Sequence, residues 1–128
     1  MQRDPAELIE QVVRQDGRYP LDAYAFLEAA LAHAAHKIHG DRGAPGERHV
    51  SGQQLCESVR ELAIRHWGRL ARDVLARWDI RQTRDIGEMV FLLVNNGLLT
   101  RQESDRIEDF DNVYDFDEAF GRYAISLD

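Results

Sequence analysis

The stretch TRDIGEMVFLLVNNG, residues Thr83 to Gly97, decides the fold class of this chain. Its centre, Met89–Val94, is a run of six apolar residues, which is typical either of a buried strand or of a buried helix. Thr83 is a predicted N-cap, the turn after it is acidic, and Asn96 with Gly97 is a helix-end signal. These flanks favour the helix, and its wholly apolar run predicts that it lies at the centre of the core.

The segment HVSGQQL, His49 to Leu55, predicts the start of another helix. Ser51 followed by Gln54 three residues later forms a capping box. Val50 and Leu55 stand on either side of it at the positions of a hydrophobic staple. Because both devices agree, we place a helix start at Ser51.

Further signals divide the rest of the chain into helices. Asp4-Pro5 predicts the start of a first helix, and Gly17 predicts its end. Pro20 opens a second helix, and Gly68 breaks or bends the third. The apolar face predicted for the second helix comprises Tyr24, Leu27, Leu31, Ala34 and Ile38. The face predicted for a short helix after Gly68 comprises Leu70, Val74, Leu75 and Trp78.

Together these signals predict an all-α fold, a single domain over residues 1–128 with five to six helices and a central buried helix. Residues 40–48 form a predicted flexible loop, because GDRGAPG within them holds three glycines and a proline. The acidic and aromatic segment 103–120 is predicted to pack on the domain. A fold with minor short β-elements around Val50, Leu99 and Val113, closer to a winged-helix domain, is the alternative.

Composition is that of an ordinary globular protein. Of the 128 residues, 44% are hydrophobic and 30% are charged, and the length suits one domain. No apolar run exceeds six residues, which predicts no membrane span. The first residues, MQRDPAEL, lack the basic and apolar regions of a secretory signal. With Cys56 as the single cysteine, these features predict a cytoplasmic protein.

The net charge of −7 is unevenly distributed. Residues 103–118 hold eight carboxylates and one arginine, whereas residues 60–84 hold seven arginines and three carboxylates. One candidate surface, for an anion or a partner, comprises Arg65, Arg69, Arg72, Arg77, Arg81 and Arg84. A second candidate partner surface comprises Asp109, Asp111, Asp115 and Asp117. Since the two regions attract each other, we expect the acidic segment to fold back with some carboxylates facing the arginines.

The stretch DFDNVYDFDEAF, Asp109 to Phe120, alternates carboxylates with aromatic residues. A helix-loop-helix calcium site requires a carboxylate or amide at position five, glycine at six and glutamate at twelve. Val113, Tyr114 and Phe120 occupy those positions, so the sequence excludes that site. The apolar residues instead predict that the stretch is anchored on the domain with its rings inward.

Four histidines raise the question of a metal site. His33, His36 and His39 recur every three residues, and His49 follows the predicted loop. Three-residue spacing drifts by about 60° per step on a helix, and the pattern is not an established zinc signature. We therefore predict solvent-facing or pocket histidines, with no metal and no cofactor.

Catalytic motifs are absent from the sequence. It contains no nucleophile elbow, phosphate loop or dinucleotide fingerprint. Cys56 has Val59 and Ala63 at helical spacing, which predicts a small buried side chain rather than a nucleophile. His66 lies on the same predicted apolar face, where a hydrogen-bonded core histidine is expected. The protein is accordingly predicted not to be an enzyme.

Several runs resemble a bacterial protein family without an assigned function, found chiefly in planctomycetes and verrucomicrobia. The runs are R-Y-x-x-x-A-Y-x-F from Arg18, HVSGQQL from His49, W-x-I-x-x-T-x-D-I-G-E-M-V-F-L-L-V-x-x-G-L-L from Trp78, and D-F-x-x-V-Y-D-F from Asp109. The resemblance implies no activity, cofactor or site residue. Where that family tends to have glycine after the tryptophan, this chain has Asp79. Aspartate tolerates a left-handed turn at some cost, so we expect the turn to persist.

Three functions follow as hypotheses, and the last of them is a metal-dependent enzyme that uses His33 and His36. The first is a non-enzymatic cytoplasmic protein-interaction module with an unknown protein partner. The second is a nucleic-acid- or ribosome-associated protein that uses the arginines, which form a ridge if the helix continues past Gly68. A sequence pI of about 5.2 argues against the second.

Overall fold

The computed structural model describes residues 4–40 and 49–121, and in them it contains five α-helices and no strand. The helices are α1 (Pro5–Asp16), α2 (Leu21–His39), α3 (Gly52–Trp67), α4 (Ala71–Arg77) and α5 (Thr83–Asn95). A 3-10 helix (Ile107–Phe110) and a π-helical turn (Asp117–Gly121) follow. The chain is therefore a single all-α domain, as predicted. Val50, Leu99 and Val113 lie in irregular segments, so the winged-helix-like alternative is not what these residues adopt.

The predicted loop 40–48 lies, apart from Gly40, outside the described residues. Within the described ranges, no helix combines the length and the apolarity that a membrane span requires.

The predicted helix starts at Asp4 and Ser51 are confirmed. The Asp4 carboxylate accepts a hydrogen bond from the Ala6 backbone, and Gly17 ends α1 in the left-handed conformation. At α3, the Ser51 hydroxyl accepts from the Gln54 amide at 3.1 Å, and the Gln54 side chain accepts from the Ser51 amide at 2.9 Å. Both starts are set by residues adjacent in sequence, so they can be recognised without the fold.

The junction of α3 and α4 departs from the predicted helical phase. Gly68 has φ +52°, and a 3-10 turn, Gly68–Leu70, separates the two helices. This turn rotates Leu70 outward to 62% exposure and places Ala71 in the core instead. The end of α2 also departs from its predicted face, because Ala34 is its last buried residue and Ile38, one turn beyond, is 40% exposed.

The turn after α4 persists with aspartate in the left-handed position, as expected. Asp79 has φ +64°, its amide donates to Ala76 at 3.0 Å, and the Ile80 amide donates to Leu75 at 2.9 Å. This pair of bonds is a Schellman motif, which usually has glycine where Asp79 stands.

The start of α5 differs from the prediction that Thr83 is its cap. The N-cap is Gln82, and the Asp85 carboxylate accepts from the backbone amides of Arg81 and Gln82 at 2.9 and 3.1 Å. Thr83 lies one position further in and is 1% exposed. Its hydroxyl donates to the Phe110 carbonyl at 2.6 Å, so a tertiary contact takes the place of the capping bond.

The apolar run of α5 is central but does not face the core on every side. Met89 and Leu93 are buried in the core. Val90, Phe91 and Val94 are only half-buried and line a surface groove. The run is apolar on more than one face because one face of α5 packs in the core and another lines the groove.

Candidate functional site

The C-terminal segment 103–120, here called the clasp, places its aromatic rings in the core. Phe110, Phe116 and Phe120 are 4–5% exposed. The Tyr114 ring stacks on Phe116 at 5.8 Å, and its hydroxyl donates to the Cys56 carbonyl at 2.8 Å. Burial raises the pKa of Tyr114 well above its usual value. The clasp therefore contacts α3 and α5 through rings.

Two glycines provide the space that Phe110 occupies. A Cβ atom added at Gly87 would lie 2.8 Å from the Cβ and Cγ atoms of Phe110. One added at Gly52 would lie 3.1 Å from the Phe110 ring. Glycine inside a helix costs stability, so Gly87 within α5 was a sequence signal for this close approach.

The four carboxylates of the predicted acidic surface have two kinds of partner. Asp111 accepts two hydrogen bonds from Arg84 at 3.0 and 3.1 Å, and Asp117 forms an ion pair with Arg72. Asp109 and Asp115 instead accept bonds from nearby backbone amides within the clasp. Two of the four carboxylates thus face the arginine region.

The predicted arginine ridge is not continuous, because α3 ends before Gly68. Its members lie on α3 (Arg65), in the 3-10 turn (Arg69), on α4 (Arg72 and Arg77), and around the start of α5 (Arg81 and Arg84). Besides the two pairs with the clasp, Arg81 lies 3.4 Å from Asp79. Arg65 and Arg77 make no ion pair with a described residue. Much of the positive charge is therefore used inside the molecule.

The histidines have separate partners. The imidazole of His33 lies 3.3 Å from Glu61, and that of His49 lies 3.3 Å from Asp105. Nε2 of His39 donates to the His49 carbonyl at 2.6 Å, while His36 is exposed. In the part of the chain that the structure describes, no group of three or more His, Cys, Asp or Glu side chains is arranged to hold a metal ion.

Cys56 and His66 have different surroundings. Cys56 is fully buried, as predicted, and burial raises the pKa of its thiol to about 12, which leaves it a poor nucleophile at neutral pH. His66 is exposed, so the expectation of a core histidine is wrong. It lies in the last turn of α3, beyond the buried residues of that helix, with its ring 6.4 Å from Phe26.

An apolar groove of about 990 Å³ opens on the surface of the described residues. Its lining comes from α1, α2, α5 and residues 49–55 and 98–110. One face of α2 follows it from Leu21 to Ala35, and Leu21 is 44% exposed there. Ala25 and Ala32 of the same face are also exposed. The groove is thus open to solvent along α2, with small side chains at its surface.

The rim of the groove is acidic. Four carboxylates line it, and they belong to Glu10, Glu28, Asp105 and Asp109. Arg101 is the only arginine or lysine among the described residues that line the groove, and His49 is also present. Glu28 is exposed and makes no ion pair with a described residue. The groove therefore combines an apolar surface with an excess of negative charge.

Asp85 holds the α1–α2 connection against α5. Its carboxylate, 4% exposed, accepts from the Tyr19 hydroxyl at 2.8 Å and from Arg18 at 3.2 Å, in addition to the two backbone amides at the start of α5. Burial and the hydrogen bond to Asp85 raise the pKa of Tyr19 well above its usual value. These bonds fix the position of the α1–α2 connection against α5. They thereby position α1 and α2, which form one side of the groove.

Tyr24 lies in the groove lining with a buried hydroxyl. The residue is 4% exposed, and its hydroxyl has no hydrogen-bond partner among the described residues. Burial, followed by the charge of Asp16, raises its pKa well above the usual value. A buried hydroxyl without a hydrogen bond lowers the free energy of unfolding. Among the described residues, the groove lining contains such a hydroxyl and the clasp does not.

The groove was not predicted from the sequence. Its lining residues come from segments far apart in the chain, and none belongs to a recognised motif. One signal was present: α2 reads LDAYAFLEAALAHAAHKIH, which has alanine or leucine on more of its circumference than a single buried face requires.

Comparison of the chain with protein-family models, with curated proteins and with solved structures gives no match. The resemblance to a bacterial family therefore stays a prediction.

Proposed function

We propose that the protein is a non-enzymatic cytoplasmic protein-interaction module, and that its groove binds an apolar segment of a partner protein. The observation that carries this proposal is the open apolar groove along α2. A concave surface lined mainly by apolar side chains, with a few charged groups among them, is a common form of binding site. The cytoplasmic assignment rests on the single cysteine, which is buried and unpaired.

The shape of the groove favours a protein segment over a compact small molecule. Leu21 and Ala35 are separated by about 21 Å along the axis of α2, at about 1.5 Å per residue. The volume of about 990 Å³ is at the upper end for small-molecule pockets, which run from roughly 300 to 1,000 Å³. A long open groove is the geometry in which amphipathic helices bind.

Nucleic-acid binding has less support. Arg72, Arg81 and Arg84 each pair with a carboxylate, so phosphate contacts would have to displace those partners. The chain carries a net charge of −7, which repels a polyanion at long range. We expect no retention of labelled RNA or duplex DNA at micromolar protein and low salt in a filter-binding assay.

Two matched variants on α2 test the proposed function. Ala32 lines the groove, whereas Ala29 is exposed on the same helix and does not. Tagged wild type, Ala32→Trp and Ala29→Trp are used to purify partners from the native cell. We expect proteins bound by wild type and Ala29→Trp to be lost with Ala32→Trp. Identical partner sets for the two tryptophan variants would contradict binding at the groove, provided that both variants keep the wild-type circular dichroism and melting temperature.

A further inference from the structure

We infer that the segment bound in the groove is an amphipathic helix of about four turns with basic side chains along its edges. The inference rests on the proposed function and adds the chemistry of the partner. It follows from two independent properties of the groove, namely the length of its apolar surface and the sign of the charge on its rim.

The apolar surface matches the dimensions of a helix. A segment that follows α2 from Leu21 to Ala35 needs about 14–15 helical residues to cover roughly 21 Å. Ala25 and Ala32 present only methyl groups at the groove surface. Small side chains at the contact allow a second helix to pack at the short end of the usual interaxial range, about 8 Å.

The rim selects for positive charge. Among the described lining residues four carboxylates stand against one arginine, and the chain as a whole carries a net charge of −7. None of these lining residues comes from the arginine-rich region 60–84. Glu10 is already paired with Arg14, and Asp105 lies beside His49. The Asp109 carboxylate accepts a hydrogen bond from the Arg106 amide, whereas Glu28 makes no ion pair with a described residue. Glu28 is therefore the carboxylate most available to a partner. Lysine or arginine beside the apolar face of the bound helix would lie within reach of it.

The same charge argues against other occupants. A fatty acid or another anionic amphiphile would bring a negative head group to a negative rim, which costs free energy. An acidic amphipathic helix has the same problem. A second copy of this chain is disfavoured because each copy carries a net charge of −7.

Three model helices of about 15 residues test the inference. They share one leucine face and differ only in the flanking residues, which are lysine, glutamine or glutamate. Binding of each to the full chain is measured by isothermal titration calorimetry at low salt. Glu28→Gln removes a rim carboxylate, and Glu57→Gln removes an exposed carboxylate of α3 that does not line the groove, so the two variants have equal net charge.

We expect the lysine helix to bind wild type at least about tenfold more tightly than the glutamate helix. Glu28→Gln should weaken the lysine helix by about two- to fivefold, as expected for loss of one exposed ion pair, whereas Glu57→Gln should have a smaller effect. Equal weakening by both variants would overturn the inference, because the preference would then reflect overall charge. Equal affinity for all three helices would also overturn it.

Further outcomes separate this inference from the proposed function. If all three helices bind equally and Ala32→Trp abolishes binding, the groove binds helices and only the basic partner is wrong. If no helix binds wild type and dodecanoate does, both the helix and its charge are wrong. If sedimentation shows a dimer that Ala32→Trp converts to a monomer, the groove is occupied by a second copy, and a basic partner is again excluded.

Discussion

Helix α5 contacts two apolar surfaces that differ in what covers them. On the side of Gly87, the clasp places Phe110 against the helix and leaves no room for a methyl group. On the side of Phe91 and Val94, the half-buried side chains line an open groove. Both surfaces of α5 are apolar, so the difference between them is burial. The surface under Phe110 is covered by the chain itself, whereas the groove surface is open to a partner.

The polar groups follow the same division. At the clasp, the Thr83 hydroxyl of α5 donates to the Phe110 carbonyl at 2.6 Å, and the Tyr114 hydroxyl donates to the Cys56 carbonyl at 2.8 Å. In the groove lining, the buried hydroxyl of Tyr24 has no partner among the described residues. Among the described residues, the buried hydroxyl without a protein partner thus belongs to the groove lining and not to the clasp.

The largest expected effect comes from removing an aromatic ring on each side. Phe110→Ala should lower the free energy of unfolding by about 3–5 kcal/mol, because it leaves a cavity among buried residues. Phe91→Ala should cost clearly less, because Phe91 is already half exposed. Urea denaturation of both variants measures the difference. Equal losses would contradict the distinction between a covered and an open surface.

A methyl group added to α5 on the clasp side should also destabilise the protein. Alanine is the better helix former by about 1 kcal/mol, but its Cβ at position 87 would lie 2.8 Å from Phe110. Since those Phe110 atoms are close to the backbone and cannot swing away, we expect Gly87→Ala to cost about 1–3 kcal/mol overall. The control is Ala25→Leu on the groove side, for which thermal unfolding should show little change. A stabilised Gly87→Ala variant would mean that the clasp is loosely packed.

Replacing Tyr114 and Tyr24 by phenylalanine should change the free energy of unfolding in different directions. Tyr114→Phe removes a hydrogen bond in the clasp and should lower stability by about 1 kcal/mol. Tyr24→Phe removes a buried hydroxyl that has no described partner, so stability should stay the same or rise by up to about 1 kcal/mol. Both are read from denaturant midpoints. A loss in Tyr24→Phe as large as that in Tyr114→Phe would show that the groove hydroxyl is satisfied.

The smallest effect concerns the turns that end α4 and α5. Each is a Schellman motif, with Asp79 in the left-handed position after α4 and Gly97 in that position after α5. Because a side chain costs free energy there, Asp79→Gly should stabilise the protein by about 0.5–1 kcal/mol. Differential scanning calorimetry should record a higher melting temperature. An unchanged or lower value would mean that the Asp79 side chain, which lies 3.4 Å from Arg81, offsets the strain.

The helices were predictable where the determining residues are neighbours in sequence. The capping box at Ser51 and the cap at Asp4 each need only a few adjacent residues. The cap of α5 was misassigned because Asp85, rather than Thr83, accepts the first amides, and Thr83 bonds to Phe110, which lies 27 residues away. Local patterns cannot reveal such a partner.

The groove was beyond prediction for a related reason. Its surface exists only when α1, α2 and α5 are placed side by side, and no pairwise spacing in the sequence encodes that arrangement. The arginines do not form one continuous ridge because Gly68 interrupts the helix, and Arg84 and Arg72 pair with Asp111 and Asp117. Charge counts along the chain could predict the attraction, but not which pairs would form.

Amide chemical-shift changes in the labelled protein, on addition of the lysine-flanked model helix, test most directly whether the groove is the binding surface. We expect the largest changes along the exposed face of α2, around Ala25 and Ala32, and in the second half of α5, with little change in residues 111–120. This result would assign binding to the open groove and leave residues 111–120 as part of the folded core. Changes concentrated in residues 111–120 or around Arg65 and Arg77, with none along α2, would contradict binding in the groove.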